Sequence, residues 1–366
     1  MNKKIVILCA AAVVGLAGLG IAKSMDNSRQ NPFLQPYTTP YEIPPFDKVE
    51  YGDYLPALEA GIAEQKAGIE AICANADTPT FENTIGAFED AANTLNKVVL
   101  VFGALSESNS SPEMESISEE FFPKLSQSQD EIMMNDKLFE RFKYLYDHRN
   151  DLGLAPDQVR AVETYYKNFV RAGALLNADQ KKELQAINTE LANLYLQFNK
   201  NLLNATNSFA IVVDNPERLS GLPANVVAVA AEEAANRNLG EGKWVFTLHA
   251  PCRLPVLQYA NDRALREEMY KGYTTQATTE PYNNLPVINK ILQARSKKAR
   301  LLGFDNFGSY MTDKVMAKTV KNAEDLLSQI WAPAVSRVKE EVADMQALAD
   351  REGADITIEP WDYYYY

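Results

Sequence analysis

Histidine and cysteine, the residues that most often carry metal and nucleophile chemistry, are nearly missing from this sequence: two and three, respectively, among 366 residues. A hydrolytic zinc centre needs three protein ligands and an open position for water. His148 and His249 have no Glu or second His at the spacing that would put two ligands on one helix face, and the chain has no His-Glu-x-x-His, Glu-x-x-His or Cys-x-x-Cys. Both histidines read as structural: His148 closes a helix, where a cationic ring complements the dipole, and His249 follows a strand. The chain also lacks a Gly-x-Ser-x-Gly elbow and a Gly-rich phosphate loop, so acyl transfer and nucleotide chemistry are without their usual devices. No catalytic, cofactor-binding or metal-binding residue is assigned on this reading.

Cysteine is too sparse for a disulfide scaffold. Cys9 falls in the N-terminal leader, which leaves Cys73 and Cys252; two free thiols are the expectation, and their spacing does not settle whether they pair. Basic residues are also in deficit. Lys plus Arg number 36 against 49 Asp plus Glu, a net charge of −13, which repels phosphate backbones and anionic headgroups and sets nucleic acid aside as a partner. The adjacent acidic pairs Glu119-Glu120, Glu232-Glu233 and Glu267-Glu268 point in different directions on a helix and read as solvated faces.

Long uncharged runs are absent apart from one. After Met1-Asn2-Lys3-Lys4, residues 5–22 carry no charge, and Gly20-Ile21-Ala22 and Ala22-Lys23-Ser24 are passable cleavage sites. A basic start, an apolar stretch and small residues near its end describe a secretory signal over residues 1–24, with export to a periplasm and no stable membrane association once it is cleaved. The competing reading is an uncleaved anchor, weakened by Gly15, Gly18 and Gly20.

The remainder is rich in helical periodicity. Residues 25–52 hold Pro32, Pro36, Pro40, Pro44 and Pro45 and read as an extended arm. Residues 53–208 read as a bundle of long helices. Asp53 is placed to cap a first helix with Leu55, Leu58, Ile62, Ile69 and Ile72 on one face. Phe81, Ile85, Phe88, Ala92, Leu95, Val99 and Phe102 form a heptad-type seam that predicts one helix of about six turns, capped by Thr80. Further helices are expected near 112–148 and 156–175. A second seam, Leu184, Ile187, Leu191, Leu194, Phe198 and Leu202, follows Asp179 as cap. Residues 209–366 read as a second helical region with a short β element: strands near 209–213 and 243–248, then helices near 254–272, 284–302 and 320–352. Thr319 should cap the last, Pro333 kink it and Gly353 end it. The fold class is mostly α, with long antiparallel helices and at most one small β element. Asp362 looks like the N-cap of a further helix whose first turn would be Tyr363, Tyr364, Tyr365 and Tyr366; a turn that short is not stable alone, so a truncated element is expected there.

Several segments carry a resemblance. They are Pro45-Phe46-Asp47-Lys48 with Tyr54-Leu55-Pro56-Ala57; Pro79-Thr80-Phe81-Glu82-Asn83-Thr84-Ile85; and Tyr165-Tyr166-Lys167-Asn168-Phe169-Val170-Arg171-Ala172-Gly173-Ala174. Gln197-Phe198, Asn204-Ala205-Thr206-Asn207 and Asn261-Asp262-Arg263-Ala264-Leu265-Arg266 continue the series. Ala294-Arg295, Leu301-Leu302-Gly303-Phe304, Met316-Ala317-Lys318-Thr319 and Trp361-Asp362-Tyr363-Tyr364-Tyr365 complete it. In order and spacing the chain resembles the N-terminal half of the oligopeptidase A and peptidyl-dipeptidase family of zinc metallopeptidases, closer to the peptidyl-dipeptidase branch. The resemblance implies a helical, cleft-containing peptidase fold whose zinc sits on a His-Glu-x-x-His helix with a further glutamate downstream, all in a C-terminal half without counterpart here. It implies short peptides as substrate, zinc as cofactor of the parent enzyme, and the missing half as partner. A non-catalytic peptide-binding module, and one chain of a split peptidase, stand as the alternatives. Whether Tyr366 is the natural terminus, the mode of cleavage and the oligomeric state are not readable.

If a complementary half normally covers this one, the 366-residue chain alone exposes apolar surface beyond the few hundred Å² usual for monomers. It is then expected to be poorly soluble or molten; a sharp, cooperative calorimetric melt of the isolated chain is the result that counts against this.

Overall fold

The structure, a computed structural model, describes residues 29–366; the leader expected over residues 1–24 lies outside the described residues. Residues 29–52 run as short 3₁₀ turns, Pro32–Leu34, Pro40–Glu42, Phe46–Lys48 and Tyr51–Asp53, joined by extended residues. Proline opens the first two, where its missing N–H costs nothing. Phe33 is fully buried and packs on Tyr54, ring centroids 5.5 Å apart. The Arg29 guanidinium holds the Asp53 carboxylate through contacts of 2.8 and 2.7 Å, and the Glu50 N–H donates to it at 2.8 Å. Asp53 therefore does not cap the first helix with its side chain, contrary to expectation. A charge-assisted, forked pair outcompetes a neutral backbone N–H.

Helix α1 (Tyr54–Ala74) packs on α3 (Asn93–Ser108) and α4 (Pro112–Met133). The seam read as one six-turn helix is divided. Thr80 caps as expected, accepting from Asn83 N–H at 3.1 Å, but the chain then makes a π turn (Phe81–Gly86), a short α2 (Ala87–Asp90) and a turn at Ala91-Ala92 before α3. The break lies where α1 comes closest. A Cβ on Gly68 would sit 2.5 Å from the Ala91 Cβ, and one on Gly61 2.8 Å from the Leu95 backbone. Two straight helices do not keep such contacts over six turns, so the seam bends around α1.

The stretch expected near 112–148 is likewise two helices, α4 and α5 (Asp136–His148), because Asn135 accepts from Leu138 N–H and starts a new helix. Helix α6 (Pro156–Arg171) ends just before Gly173, whose φ of +97° is left-handed. Helix α7 (Ala178–Ser208) is capped by Asn177 in a reciprocal box with Gln180, two residues before the expected Asp179.

Strands β1 (Ile211–Val213) and β2 (Trp244–Phe246) pair antiparallel, Ile211 opposite Phe246, as expected. Between them lies α8 (Ala224–Asn236), an alanine-rich helix that the pattern reading passed over although its composition favours helix. The stretch expected near 254–272 is two helices, α9 (Ala250–Tyr259) and α10 (Arg263–Thr274), divided where Asp262 caps by accepting from the Ala264 and Leu265 N–H groups. Helices α11 (Leu285–Leu301), α12 (Phe307–Thr312) and α13 (Val320–Arg351) follow. Thr319 caps α13 and Gly353, φ +75°, ends it; the helix runs on through Pro333. The architecture is mostly α with one two-stranded ribbon among the described residues.

Apolar residues gather in four local cores. One joins Phe33, Tyr54, Leu58, Phe102 and Phe121; another Ile72, Leu138, Phe142 and Phe169. A third surrounds the ribbon through Phe246, Leu257, Leu265 and Met269, and a small fourth links α7 to α11 through Ile187, Leu191, Ile291 and Ala294.

Asp362 is not a helix N-cap by its side chain. It closes a 3₁₀ turn (Pro360–Asp362), fully buried, and its carboxylate accepts from Arg263 at 2.8 Å, Arg266 at 2.8 Å and the Glu359 N–H at 3.0 Å. The tyrosines beyond it are partly occupied. Tyr365 faces the Arg266 guanidinium at 4.0 Å and Tyr363 donates to Glu341 at 2.6 Å, while Tyr364 stays half exposed. Burial alone would push the Asp362 carboxyl up, but the hydrogen bonds from Arg263, Arg266 and Glu359 together hold it below the usual carboxylate range. A carboxyl depressed in the folded state contributes stability above its unfolded pKa and loses it as pH falls through the folded value. The anchoring of residues 354–366 is therefore expected to weaken below about pH 4. Asp362→Ala, which strands a buried arginine, should cost about 3–5 kcal/mol in urea denaturation at pH 7 and flatten this acid limb.

Candidate functional site

The His148 ring stacks on Tyr144, centroids 4.2 Å apart, with Nδ1 2.9 Å from the Tyr144 carbonyl. His249 lies at the start of α9 with Nδ1 3.1 Å from Thr247 Oγ1. Among the described residues no three His, Cys, Asp or Glu side chains cluster as a metal-ligand set. The donors present do not fit zinc.

Cys73 and Cys252 are both half-buried and are not paired with each other. The Cys252 sulfur accepts from Thr247 N–H at 3.2 Å. Burial pushes both thiols up, which keeps them protonated and poor as nucleophiles at neutral pH. Five of the six carboxylates in the acidic pairs form surface ion pairs: Glu119 with Lys200, Glu120 with Lys124, Glu233 with Arg237, Glu267 with Lys271 and Glu268 with Arg218. Glu119 is met by a lysine from α7, Glu268 by Arg218 in the turn before α8, and the other three by a residue four positions along the chain, so none of these pairs acts as a two-carboxylate site.

What the fold does build is a groove. Between α4 and α7, beside the end of α3, runs a hollow of about 580 Å³ lined by the uncharged polar Ser106, Ser118, Asn193 and Gln197 and by the charged Glu107, Glu115, Glu119 and Lys200. It continues through the shared Phe122, Leu196 and Asn199 into an apolar hollow of about 310 Å³ that adds Leu125, Ala192 and Tyr195. Polar groups beside an apolar floor suit an extended chain, whose backbone seeks hydrogen bonds while its side chains seek apolar cover. A larger hollow, about 830 Å³, opens beside the arm between Phe46, Tyr51, Leu105 and Met114. It offers fewer polar side chains than the α4–α7 groove, which is the better candidate.

One polar chain fixes the helices that flank the groove. Asn188 on α7 donates to Asp130 on α4 at 2.7 Å and accepts from Lys298 on α11 at 2.6 Å. Burial pushes the Asp130 carboxyl up, against the pull of Asn188 and Lys298. Burial pushes the Lys298 ammonium down, opposed by Asp130 and reinforced by Arg171. Arg171 itself is tied to Asp313 at 2.9 Å and lies over the Tyr310 ring at 4.1 Å. No motif in the sequence marks this set, because its members lie 58 and 110 residues apart.

Comparisons with known proteins bear on this arrangement. Residues 256–366 match the model of Peptidase family M3. The chain is 34% identical over 337 residues to the dipeptidyl carboxypeptidase of Escherichia coli, covering 92% of this chain and 49% of that protein. It is 29% identical over 336 residues to the oligopeptidase A of the same organism, covering 90% and 49%. It is 29% identical over 340 residues to a probable cytosolic oligopeptidase A of Arabidopsis thaliana, covering 90% and 47%. The chain thus spans about half the length of the curated relatives it matches. The higher identity to the dipeptidyl carboxypeptidase agrees with the branch that the sequence motifs implied.

Asn188→Leu leaves a carboxylate and an ammonium half-buried without their shared partner. It is expected to lower stability by about 2–3 kcal/mol in chemical denaturation, whereas Asn193→Leu, exposed on the same helix, should stay within about 0.5 kcal/mol.

Proposed function

We propose that this chain, related to the Peptidase family M3 enzymes along nine-tenths of its length, is the N-terminal half of an exported zinc peptidase that releases dipeptides from the C-termini of short peptides. The observation that carries this reading is helix α13. Of its residues Val320–Arg351 only Ala349 is buried, while Leu326, Leu327, Ile330 and Trp331 stand exposed as one stripe. A long helix with a bare apolar stripe is stable when a further layer covers it. The relatives, about twice as long, have the additional chain to supply such a layer.

In this reading the chain contributes shape. The groove between α4 and α7 is a wall along which an extended peptide lies, and the Asp130–Asn188–Lys298 link keeps that wall in register. Zinc and the His-Glu-x-x-His helix implied by the family belong to the portion of the relatives that this chain does not span. The donors here do not fit the metal, so no catalytic step is assigned to them. Export rests on the leader over residues 1–24, and N-terminal sequencing of the mature protein tests it.

Reading the coding DNA past Tyr366 tests the whole. An open frame that encodes His-Glu-x-x-His is the expected result, and its full product should release C-terminal dipeptides and lose this activity to a chelator. Trp331, 71% exposed here, should emit at shorter wavelength in that full product than in residues 1–366 alone. A stop codon at that point, or zinc-dependent peptide hydrolysis by residues 1–366 by themselves, overturns the proposal.

A further inference from the structure

The polar link between α4, α7 and α11 borders a small cavity of about 180 Å³. Asp130, Asn188 and Lys298 line it, together with Asn168 and Arg171 from α6 and Lys314 from the segment after α12. Three cations from three separate elements thus meet one carboxylate, a lining charge of 3 − 1 = +2, in a chain whose net charge is −13. Asp313 reaches Arg171 at 2.9 Å from outside the lining, but its side chain is 57% exposed and well screened by water.

These cations are incompletely satisfied. Arg171 is only 8% exposed. Its Nη1 donates to Asp313 at 2.9 Å and its Nη2 to the Tyr310 carbonyl at 2.5 Å, while among the described residues its Nε donates to nothing. Lys298 has three donors and uses one, to the Asn188 carboxamide at 2.6 Å. That neutral group stands between the ammonium and Asp130, to which Asn188 donates at 2.7 Å. Lys314 is exposed and forms no ion pair among the described residues. An ammonium drawn in beside a guanidinium is costly unless an anion joins them. The single carboxylate present, Asp130, meets that demand only through an intermediary.

The size of the cavity narrows the choice of anion. It is below the roughly 300–1,000 Å³ range of ligand pockets, too small for a peptide and sufficient for one oxyanion with a water beside it. Donors that converge from several elements call for several acceptor oxygens. A guanidinium and ammonium groups are the usual partners of phosphate-like groups, the first by its planar fork and the others as point charges. Two negative charges would balance the lining.

We propose that this cavity binds one small divalent oxyanion of the size of inorganic phosphate, held by Arg171, Lys298 and Lys314 with Asn168 as a neutral donor. Bound there, the anion joins α6, α11 and the segment after α12 at one centre and reinforces the Asp130–Asn188–Lys298 link. The inference uses the cavity and its charges alone and is independent of the peptidase reading.

The test is calorimetric titration of the full product of the reading frame with sodium phosphate at constant ionic strength, beside thermal melts over the same concentrations. Saturable binding at one site is expected, with a melting temperature that climbs with phosphate and not with sodium chloride of equal ionic strength. Lys298→Met should weaken phosphate binding at least tenfold, and so should Lys314→Gln, which removes an exposed charge without disturbing the fold. The Cε resonance of Lys298 should move on titration, because an anion beside the ammonium favours its charged form. Absence of saturable binding overturns the proposal. An affinity unchanged by Lys314→Gln, or a rise in melting temperature that chloride matches, shows a general salt effect and overturns it as well.

Discussion

Helix α7 has to pack on two sides at once, against α4 and against α11, and the rest of the bundle is organised around that demand. Its buried seam, Leu184, Ile187 and Leu191, is narrow and cannot cover both contacts with apolar surface. Side-chain hydrogen bonds make up the difference. Asn188 ties α4 to α11 through Asp130 and Lys298, and Asn201 donates to the buried Asn284 at 2.9 Å. Lys200 reaches Glu119, and Arg295 donates to the Tyr195 hydroxyl at 2.9 Å. Polar ties of this kind add little net stability but exclude alternative registers, because a slipped helix strands half-buried charges. The groove along α4 and α7 inherits its shape from that fixed register.

The same economy explains why burial is uneven. The N-terminal helices close around Phe102, Phe121, Phe142 and Phe169, all at or near full burial, while α13 buries a single alanine. What holds α13 in place is polar and comes from its C-terminal end. Gln346 donates to the Ile356 carbonyl at 2.8 Å and accepts from the Ile358 N–H at 2.9 Å, and residues beyond it are clamped through Asp362 to Arg263 and Arg266 on α10. The N-terminal part of α13 leans on α12, where Val320 meets Gly308. Local opening free energies follow buried contacts, so this helix is the first element expected to loosen in the chain by itself.

Features that depend on a few neighbouring residues were legible in the sequence. Thr80, Thr319 and Gly353 act where the pattern puts them, because a cap is settled within four residues. Features decided at a distance were not. Asp53 and Asp362 look like caps, but Arg29 in one case and Arg263 with Arg266 in the other claim their carboxylates. The seam from Phe81 to Phe102 has unbroken periodicity, and its break at Ala91-Ala92 comes from the close approach of Gly61 and Gly68 on another helix. The two sheet strands were readable from composition, and α8 between them was readable too from its run of alanines. The groove was not, since its walls come from helices whose polar faces look like ordinary solvated surface.

The distribution of spoken-for groups says what kind of contribution this chain can make. Both imidazoles bond to their own local backbone or hydroxyl, both thiols are held protonated by burial, and five of the six carboxylates of the acidic pairs are taken up by lysines and arginines. A group already engaged in this way has to break an existing interaction before it can attack or transfer a proton, and Glu119, the one of them that lines the groove, is held by Lys200. The carboxamides of Asn193 and Asn199 and a set of apolar side chains line the groove, and apolar side chains stand bare on α13. Carboxamides and apolar surface recognise a peptide backbone and its side chains without changing them. A wall built of such groups can be held rigid because it never has to release a proton or a ligand atom of its own.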